Sequence, residues 1–142
     1  MTDPYPTQTR WQQRFENFSK ALKLLQEPLA GREIDQFTML EKHGLIKRFD
    51  MAFELAWKTM KDYLEYAGIP TEYAAPRPVI KQAFAANIIV NGQTWIDMLE
   101  DRNLLSHTYD EHTFTDALHA IKEQYLAPIC EFHALLLEKT AE

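Results

Sequence analysis

The stretch FDMAFELAWKTMKDYLEYAGI, Phe49 to Ile69, decides the fold. Its residues Phe49, Ala52, Phe53, Ala56, Trp57, Met60, Tyr63 and Leu64 recur at steps of three and four, the α-helical period. At about 100° per residue these positions, with Leu45 ahead of them, fan over roughly a third of the helix circumference. A stripe that wide calls for two neighbours, or for one neighbour and a second subunit. Gly68 followed by Pro70 is the stop signal, since glycine takes the left-handed turn that ends a helix and proline cannot continue one. The helix is predicted from near Asp35 to Ala67.

Similar patterns run outward in both directions. Toward the N-terminus, Trp11, Phe15, Phe18, Leu22 and Leu25 form one apolar stripe, which Pro28 and Gly31 are expected to close. Residues 1–8, with Pro4 and Pro6, read as a flexible arm. Toward the C-terminus, APRPVIKQAFAANII (Ala75–Ile89) predicts a short third helix entered through prolines, with Pro78 near its first turn. Asn91 and Gly92 break the chain. QTWIDMLEDRNLL (Gln93–Leu105) then carries Trp95, Met98, Leu99 and Leu105 on a fourth helix. A last helix starts near Asp110 with Phe114, Leu118, Ile121 and Tyr125 at helical spacing. Pro128 should bend or break it, and Phe132, Leu135 and Leu136 resume the pattern beyond. No segment alternates with period two, and there is no internal repeat. The expectation is an all-α, antiparallel up-and-down bundle of about five helices, one domain over residues 9–142.

Composition agrees. Only 4 of 142 residues are glycine, too few for a sheet with many tight turns. The formal net charge is -6, which excludes a broadly basic surface of the kind that holds long nucleic acids by their backbone. The single cysteine, Cys130, rules out an intramolecular disulfide and suits a reducing compartment. No stretch is long and apolar enough for a bilayer, and MTDPYPTQTR (Met1–Arg10) does not read as a signal peptide. No membrane association and a cytoplasmic location are expected.

The chemistry-bearing segment is DRNLLSHTYDE, Asp101 to Glu111. On an unbroken helix Asn103 and His107 share a face, while Arg102 and His107 lie roughly 140° apart. These two can meet only if the helix frays near Ser106, if Arg102 bends round, or across a dimer. A purely structural reading also fits. Asp110 would cap the last helix, with Tyr109 and Phe114 as a hydrophobic staple, or Thr108 and Glu111 would form a capping box; Arg102 would pair with a nearby carboxylate. The chemical reading is cleavage of RNA without a metal. His107 would move a proton to or from a ribose or leaving oxygen, Arg102 would stabilise charge on the phosphate, and Asn103 would orient the imidazole. Asp97, Glu100, Asp101, Asp110 and Glu111 crowd this arginine. A polyanion therefore needs compensation from Arg77 and Lys81, from Lys47–Arg48 or Lys58–Lys61, or from a second copy of Arg102.

Other candidates read as structural. His112, Asp116, His119 and Glu123 form a metal-like row, but opposite the apolar stripe of the last helix, so a solvated face is expected. His43 and His133 stand alone. Cys130 reads as a buried structural thiol, and Phe15, Phe18, Phe53 and Trp57 as core or subunit contact. There is no glycine-rich phosphate loop, no Gly-x-Ser-x-Gly and no CxxC, and no cofactor is expected.

Four segments, RWQQRFENFSKALKLL, FDMAFELAWKTMKDYLEYAGI, PRPVIKQAF and WIDMLEDRNLLSHTYDE, together resemble the nucleotidyltransferase substrate-binding protein family of the HEPN superfamily. The likeness runs from about Trp11 to Tyr125. The signature of HepT-type toxins (Arg, four residues, His, any residue, Tyr) is matched by Arg102, His107 and Tyr109, and Asn103 fits the polar residue often found after the arginine. The resemblance implies a dimeric helical bundle whose two Arg/His motifs face a shared cleft, and a metal-independent ribonuclease with RNA as candidate substrate. It also implies a small nucleotidyltransferase encoded nearby, which neutralises the toxin by transferring AMP from ATP to Tyr109. An older view of the family implies instead the non-catalytic substrate-binding subunit of a two-chain nucleotidyltransferase.

Overall fold

The computed structural model describes residues 9–71 and 73–141, so the expected arm 1–8 lies outside the described residues. The elements are α1 (Arg10–Leu29), a 3-10 turn (Ile34–Gln36), α2 (Met39–Tyr66), α3 (Pro76–Ala85), α4 (Gly92–Leu105), α5 (Glu111–Ala120), a π turn (Ile121–Tyr125) and α6 (Leu126–Thr140). The last three follow one another without a break, so the described residues form five helical rods and contain no strand. The all-α expectation holds.

The central helix is α2. Its wide stripe is satisfied inside one chain: α1 packs along one side, and α3, α4 and α5 share the other. Leu45, Phe49, Ala52, Phe53, Ala56, Trp57, Met60 and Leu64 are all buried, and Tyr63 is half-buried. Phe53 faces Trp95 of α4 at 6.2 Å between ring centroids, Trp95 meets Phe132 of α6 edge-on at 5.7 Å, and Phe132 meets Phe18 of α1 at 5.7 Å. These rings tie four helices into one core, and each contact adds a geometric preference to the area it buries.

Three boundaries differ from the sequence-based expectation. The second helix begins at Met39, because Thr38 and Glu41 make a reciprocal capping box: the Glu41 amide donates to Thr38 Oγ1 at 3.1 Å and the Thr38 amide to Glu41 Oε1 at 2.9 Å. Arg32 adds a 2.9 Å bond to the same carboxylate, and with the Thr38 contacts this pulls Glu41 down to about 2. Pro28 does not close α1 but lies within its last turn. A proline there leaves the carbonyl four residues earlier without its donor. Arg48 of α2 supplies one, with Nη1 2.7 Å from the Leu24 carbonyl oxygen. The chain turns at Gly31, whose φ of 86° suits glycine. Finally, Pro128 does not break the last helix. Gln124, the residue whose carbonyl the proline ring would strike, lies in the π turn. That wider turn absorbs the conflict, and Pro128 is buried in a continuous rod.

No helix among the described residues is long and apolar enough to cross a membrane.

Candidate functional site

The segment after Arg102 is a helix end followed at once by a helix start. The last amides of α4 turn back, Ser106 to the Arg102 carbonyl at 3.2 Å and His107 to that of Leu104 at 3.1 Å. Ser106 Oγ donates to the Asn103 carbonyl at 2.7 Å, satisfying one of the acceptors that every helix C-terminus leaves open. Asp110 then starts α5, accepting from the Thr113 amide at 3.1 Å and from its hydroxyl at 3.0 Å. Those two bonds hold the Asp110 carboxyl below the usual range. Of the caps expected, Asp110 is the one used, and Thr108 and Glu111 form no box. The staple is not closed either: Phe114 is buried, but Tyr109 is 82% exposed.

Arg102 points back to α2. Its Nε donates to Asp50 Oδ1 at 2.7 Å and its Nη2 lies 2.6 Å from Glu54 Oε2, while the guanidinium carbon sits 5.7 Å over the Phe53 ring. The arginine is thus clamped between two carboxylates one helical turn apart, with Nη1 uncommitted among the described residues. Both acids have second cations: Lys47 lies 3.9 Å from Asp50 and Lys58 3.1 Å from Glu54. Burial pushes the Glu54 carboxyl up, but hydrogen bonds from Trp57 and Lys58 and the charge of Arg102 outweigh it, leaving the group below the usual range. Asp101, next door, faces the other way and accepts a hydrogen bond from the Tyr125 hydroxyl in the π turn. Burial, with that bond, drives the Tyr125 phenol far above its ordinary value. Helix α4 is therefore pinned on two sides just where the Arg-to-Tyr segment begins.

The other residues of that segment are open. Asn103 and His107 are exposed, and the His107 ring makes no hydrogen bond or ion pair among the described residues. The fold does not join Arg102 to His107: within one chain the helix does end near Ser106, yet the arginine turns to Asp50 and Glu54.

Beside the junction an open groove of about 320 Å³ runs between α2 and the start of α5. Ile46, Phe49, Leu105 and Phe114 give it an apolar floor, and His43, Lys47, Asp50, Arg102 and Tyr109 a polar rim. His43, read as a lone residue in the sequence, stands edge-on to Phe114 at 4.8 Å. His43, Asp50 and Glu54 were not predicted as site residues, and Lys47 was expected only as a compensating charge. The only signal for them is helical spacing on α2, which carries no chemistry until α4 is laid across it.

Of the cations expected to offset the local acids, Arg77 does so, lying 3.7 Å from Glu100, whereas Arg48 holds the Leu24 carbonyl and Lys61 pairs with Glu65 at 3.0 Å. Lys47 alone of the expected set lines the groove. The row on the last helix behaves as a solvated face: His112 pairs with Asp116 at 3.3 Å, and His119 with Asp35 at 3.5 Å and Glu123 at 3.6 Å. Among the described residues no three His, Cys, Asp or Glu side chains are grouped to hold a metal ion. Cys130 is half-buried and accepts from Gln26 Nε2 at 3.0 Å, and its thiol is pushed up by burial. His133 stacks on Phe15 at 4.8 Å and meets Ser19 Oγ at 2.8 Å.

Comparison with known proteins gives this arrangement a context. The family model described as "Nucleotidyltransferase substrate binding protein like" matches residues 13–138, nearly all of the described chain. The chain belongs to this family. A curated relative from Haemophilus influenzae, named "Probable ribonuclease HepT", is 30% identical over 71 residues. That match covers 48% of this chain and 49% of the relative, so the two correspond over about half their lengths.

Proposed function

We propose that this protein is a HepT-like HEPN ribonuclease of a toxin–antitoxin pair, acting as a homodimer on RNA and neutralised by AMP transfer to Tyr109. The observation that carries the proposal is the contrast inside one short segment. Arg102 is fixed by two carboxylates, whereas His107 and Tyr109, at the motif spacing, stand exposed and uncommitted at the end of the same helix. The likeness to a probable ribonuclease HepT supports it.

In this mechanism His107 takes the proton of a ribose 2′-hydroxyl as that oxygen bonds to the neighbouring phosphorus. The bond from phosphorus to the 5′-oxygen breaks, the leaving oxygen collects a proton, and a 2′,3′-cyclic phosphate remains. Arg102 meets the charge growing on the phosphate oxygens. In one chain Arg102 bonds Asp50 and Glu54 and not His107, and in this mechanism the two groups come from facing copies of the motif, with Asn103 beside His107 to set its ring. A nucleotidyltransferase partner switches the site off: the Tyr109 oxygen bonds to the α-phosphorus of ATP, pyrophosphate leaves, and the phenolic proton passes to solvent. The adduct places an anion and a nucleoside beside the groove.

A specific observation also favours the family's other role, a non-catalytic substrate-binding subunit of a two-chain nucleotidyltransferase. The Arg102 guanidinium already faces two carboxylates, Asp50 and Glu54, which offset its charge and leave less of it for a transition state. One assay separates the two. Purified protein is incubated with RNA in chelator beside Arg102→Ala and His107→Ala. Cleavage by the parent that is lost in both variants supports the nuclease. Cleavage retained in both sinks the mechanism, and no cleavage by any form assigns the chain to the binding subunit.

A further inference from the structure

We infer that Trp57 is a positioning residue for Arg102, acting through the Glu54 carboxylate. Asp50, Phe53, Glu54, Trp57 and Lys58 follow one another at steps of three and one, which brings them to one face of α2. The Arg102 guanidinium lies across that face, on Asp50, over Phe53 and on Glu54. A glutamate has several rotatable bonds, so it holds a cation in one place only if something holds the glutamate. Here the Trp57 indole Nε1 donates to Glu54 Oε2 at 2.9 Å, and Arg102 Nη2 reaches the same oxygen at 2.6 Å. Lys58 takes the other oxygen, Oε1, at 3.1 Å. Of the groups that steady the two carboxylates, the indole is the stiff one. Trp57 is 6% exposed, so packing fixes its ring, and its N–H is a donor that does not titrate. The lysines are looser: the Lys58 side chain is 38% exposed, and that of Lys47, beside Asp50, is 77% exposed. The arginine is therefore aimed chiefly by its Glu54 arm. A buried indole N–H needs some acceptor, and a carboxylate three residues back is a convenient one. The oxygen that serves it here is also the oxygen that holds the arginine.

The importance of this bond for cleavage rests on the proposed ribonuclease; its hold on the arginine does not. The first arm of the test therefore reads the arginine itself, as the exchange of its Nη protons with water in the NMR spectrum of the free protein. Trp57→Phe keeps an aromatic ring and removes the N–H. It is expected to speed that exchange about fivefold, part of the weight of one hydrogen bond to a charged group. In a Glu54→Ala background, where the carboxylate is already gone, the same change should add nothing, since only residues that act independently add. Equal acceleration in both backgrounds, or none in the parent, makes Trp57 a core residue with no hold on Arg102. Backbone amide exchange along α2 separates release of the arginine from general loosening, and amides that speed by the same factor overturn the role. If Phe underfills the indole site and the chain does not fold, benzothienylalanine at position 57 keeps the two-ring shape without the N–H and carries the same expectations. The second arm follows cleavage of RNA. Because the arginine meets charge that grows in the transition state, Trp57→Phe should lower kcat about tenfold and leave KM nearly unchanged, as expected of a misaimed group. A raised KM with kcat kept overturns the role in the reaction. If the parent cleaves nothing, the ribonuclease falls and the exchange arm still decides Trp57.

Discussion

The clamp on Arg102 makes a quantitative demand on stability. The perturbation is a double-mutant cycle between Arg102→Met and either Glu54→Gln or Asp50→Asn; Met keeps the length and apolar stem of arginine while removing its donors. The Arg102 side chain is 25% exposed, that of Glu54 31% and that of Asp50 40%, so these contacts sit between a surface pair and a buried one. Exposed ion pairs are worth ~0.2–1 kcal/mol, and net hydrogen bonds to charged groups roughly 1.5–3 kcal/mol. The less exposed Glu54 should couple to Arg102 by about 1 kcal/mol. Asp50, wetter and shared with Lys47, should couple by about 0.5 kcal/mol and lose more of it in 1 M salt, where screening reaches about 3 Å. Once the arginine is gone, Asp50 and Glu54 are like charges four residues apart on one helix, each with its lysine still in place, so neutralising either in the Arg102→Met background should cost less than in the parent. Urea unfolding followed by circular dichroism at 222 nm measures every corner of both cycles. Coupling indistinguishable from zero in both at 0.1 M salt would show an unclamped guanidinium and refute the reasoning.

Three further outcomes follow from local geometry. Asp110→Ala should cost about 1 kcal/mol, as the loss of a helix N-cap does, while Thr108→Ala should stay within about 0.5 kcal/mol; equal costs in urea melts would restore the Thr108 cap. Arg48→Ala should destabilise by about 1 kcal/mol in the parent, by leaving the Leu24 carbonyl without its donor, and by clearly less in a Pro28→Ala background where the helix supplies its own amide. If Arg48→Ala costs the same in both backgrounds, the arginine does not stand in for the missing amide. Burial lowers the pKa of His133, so the native chain binds fewer protons than the unfolded one, whose histidine titrates at about 6.5. The stability contributed by the neutral ring is therefore present above that value and lost as the pH falls below it toward the lowered native value. His133→Phe, which keeps a ring over Phe15, should shrink the fall in urea midpoint between pH 7.5 and pH 5; an unchanged fall would remove His133 from the acid response.

Helical periodicity made the rods legible in the sequence, and the α2 stripe in particular, because a repeat of three and four over 20 residues has one reading. The ends were harder for a physical reason. Pro28 and Pro128 carry a general penalty in helix interiors, and in both cases the remedy comes from outside the local pattern: Arg48 from the next helix, and a widened turn upstream of Pro128. The start of α2 was legible in Thr38 and Glu41, a capping box whose spacing was there to be read. The candidate site divides in the same way. Arg102, Asn103, His107 and Tyr109 follow from spacing, and Asp110 from its place before an apolar run. Asp50 could not be found so, since it lies 52 residues from the arginine it holds and becomes a partner only when α4 packs across α2.

That packing changes what the Arg–His spacing means in a single chain. Five residues of separation leave Arg102 and His107 on different sides of a helix, and ending the helix at Leu105 removes the geometric obstacle to their meeting. They make no bond to each other, because Asp50 and Glu54 offer the guanidinium two anions at hydrogen-bonding distance and an imidazole is not an anion. The clamp fixes the arginine's direction before any ligand arrives, which reduces the entropy of holding it, and at the same time gives the cluster of Arg102, Asp50 and Glu54 a net negative charge. Orientation and anion affinity thus pull against each other at this residue. Lys47 and Lys58 offset the surplus acid, but from the far side of each carboxylate. A phosphate would therefore meet its most exposed cation in this cluster at Lys47, on the edge of the groove. Two copies with their α4 ends facing would double the oriented arginines around one histidine without loosening either clamp. In the chemistry proposed for this segment the second copy is then a reacting part, setting its clamped arginine against the histidine of the first.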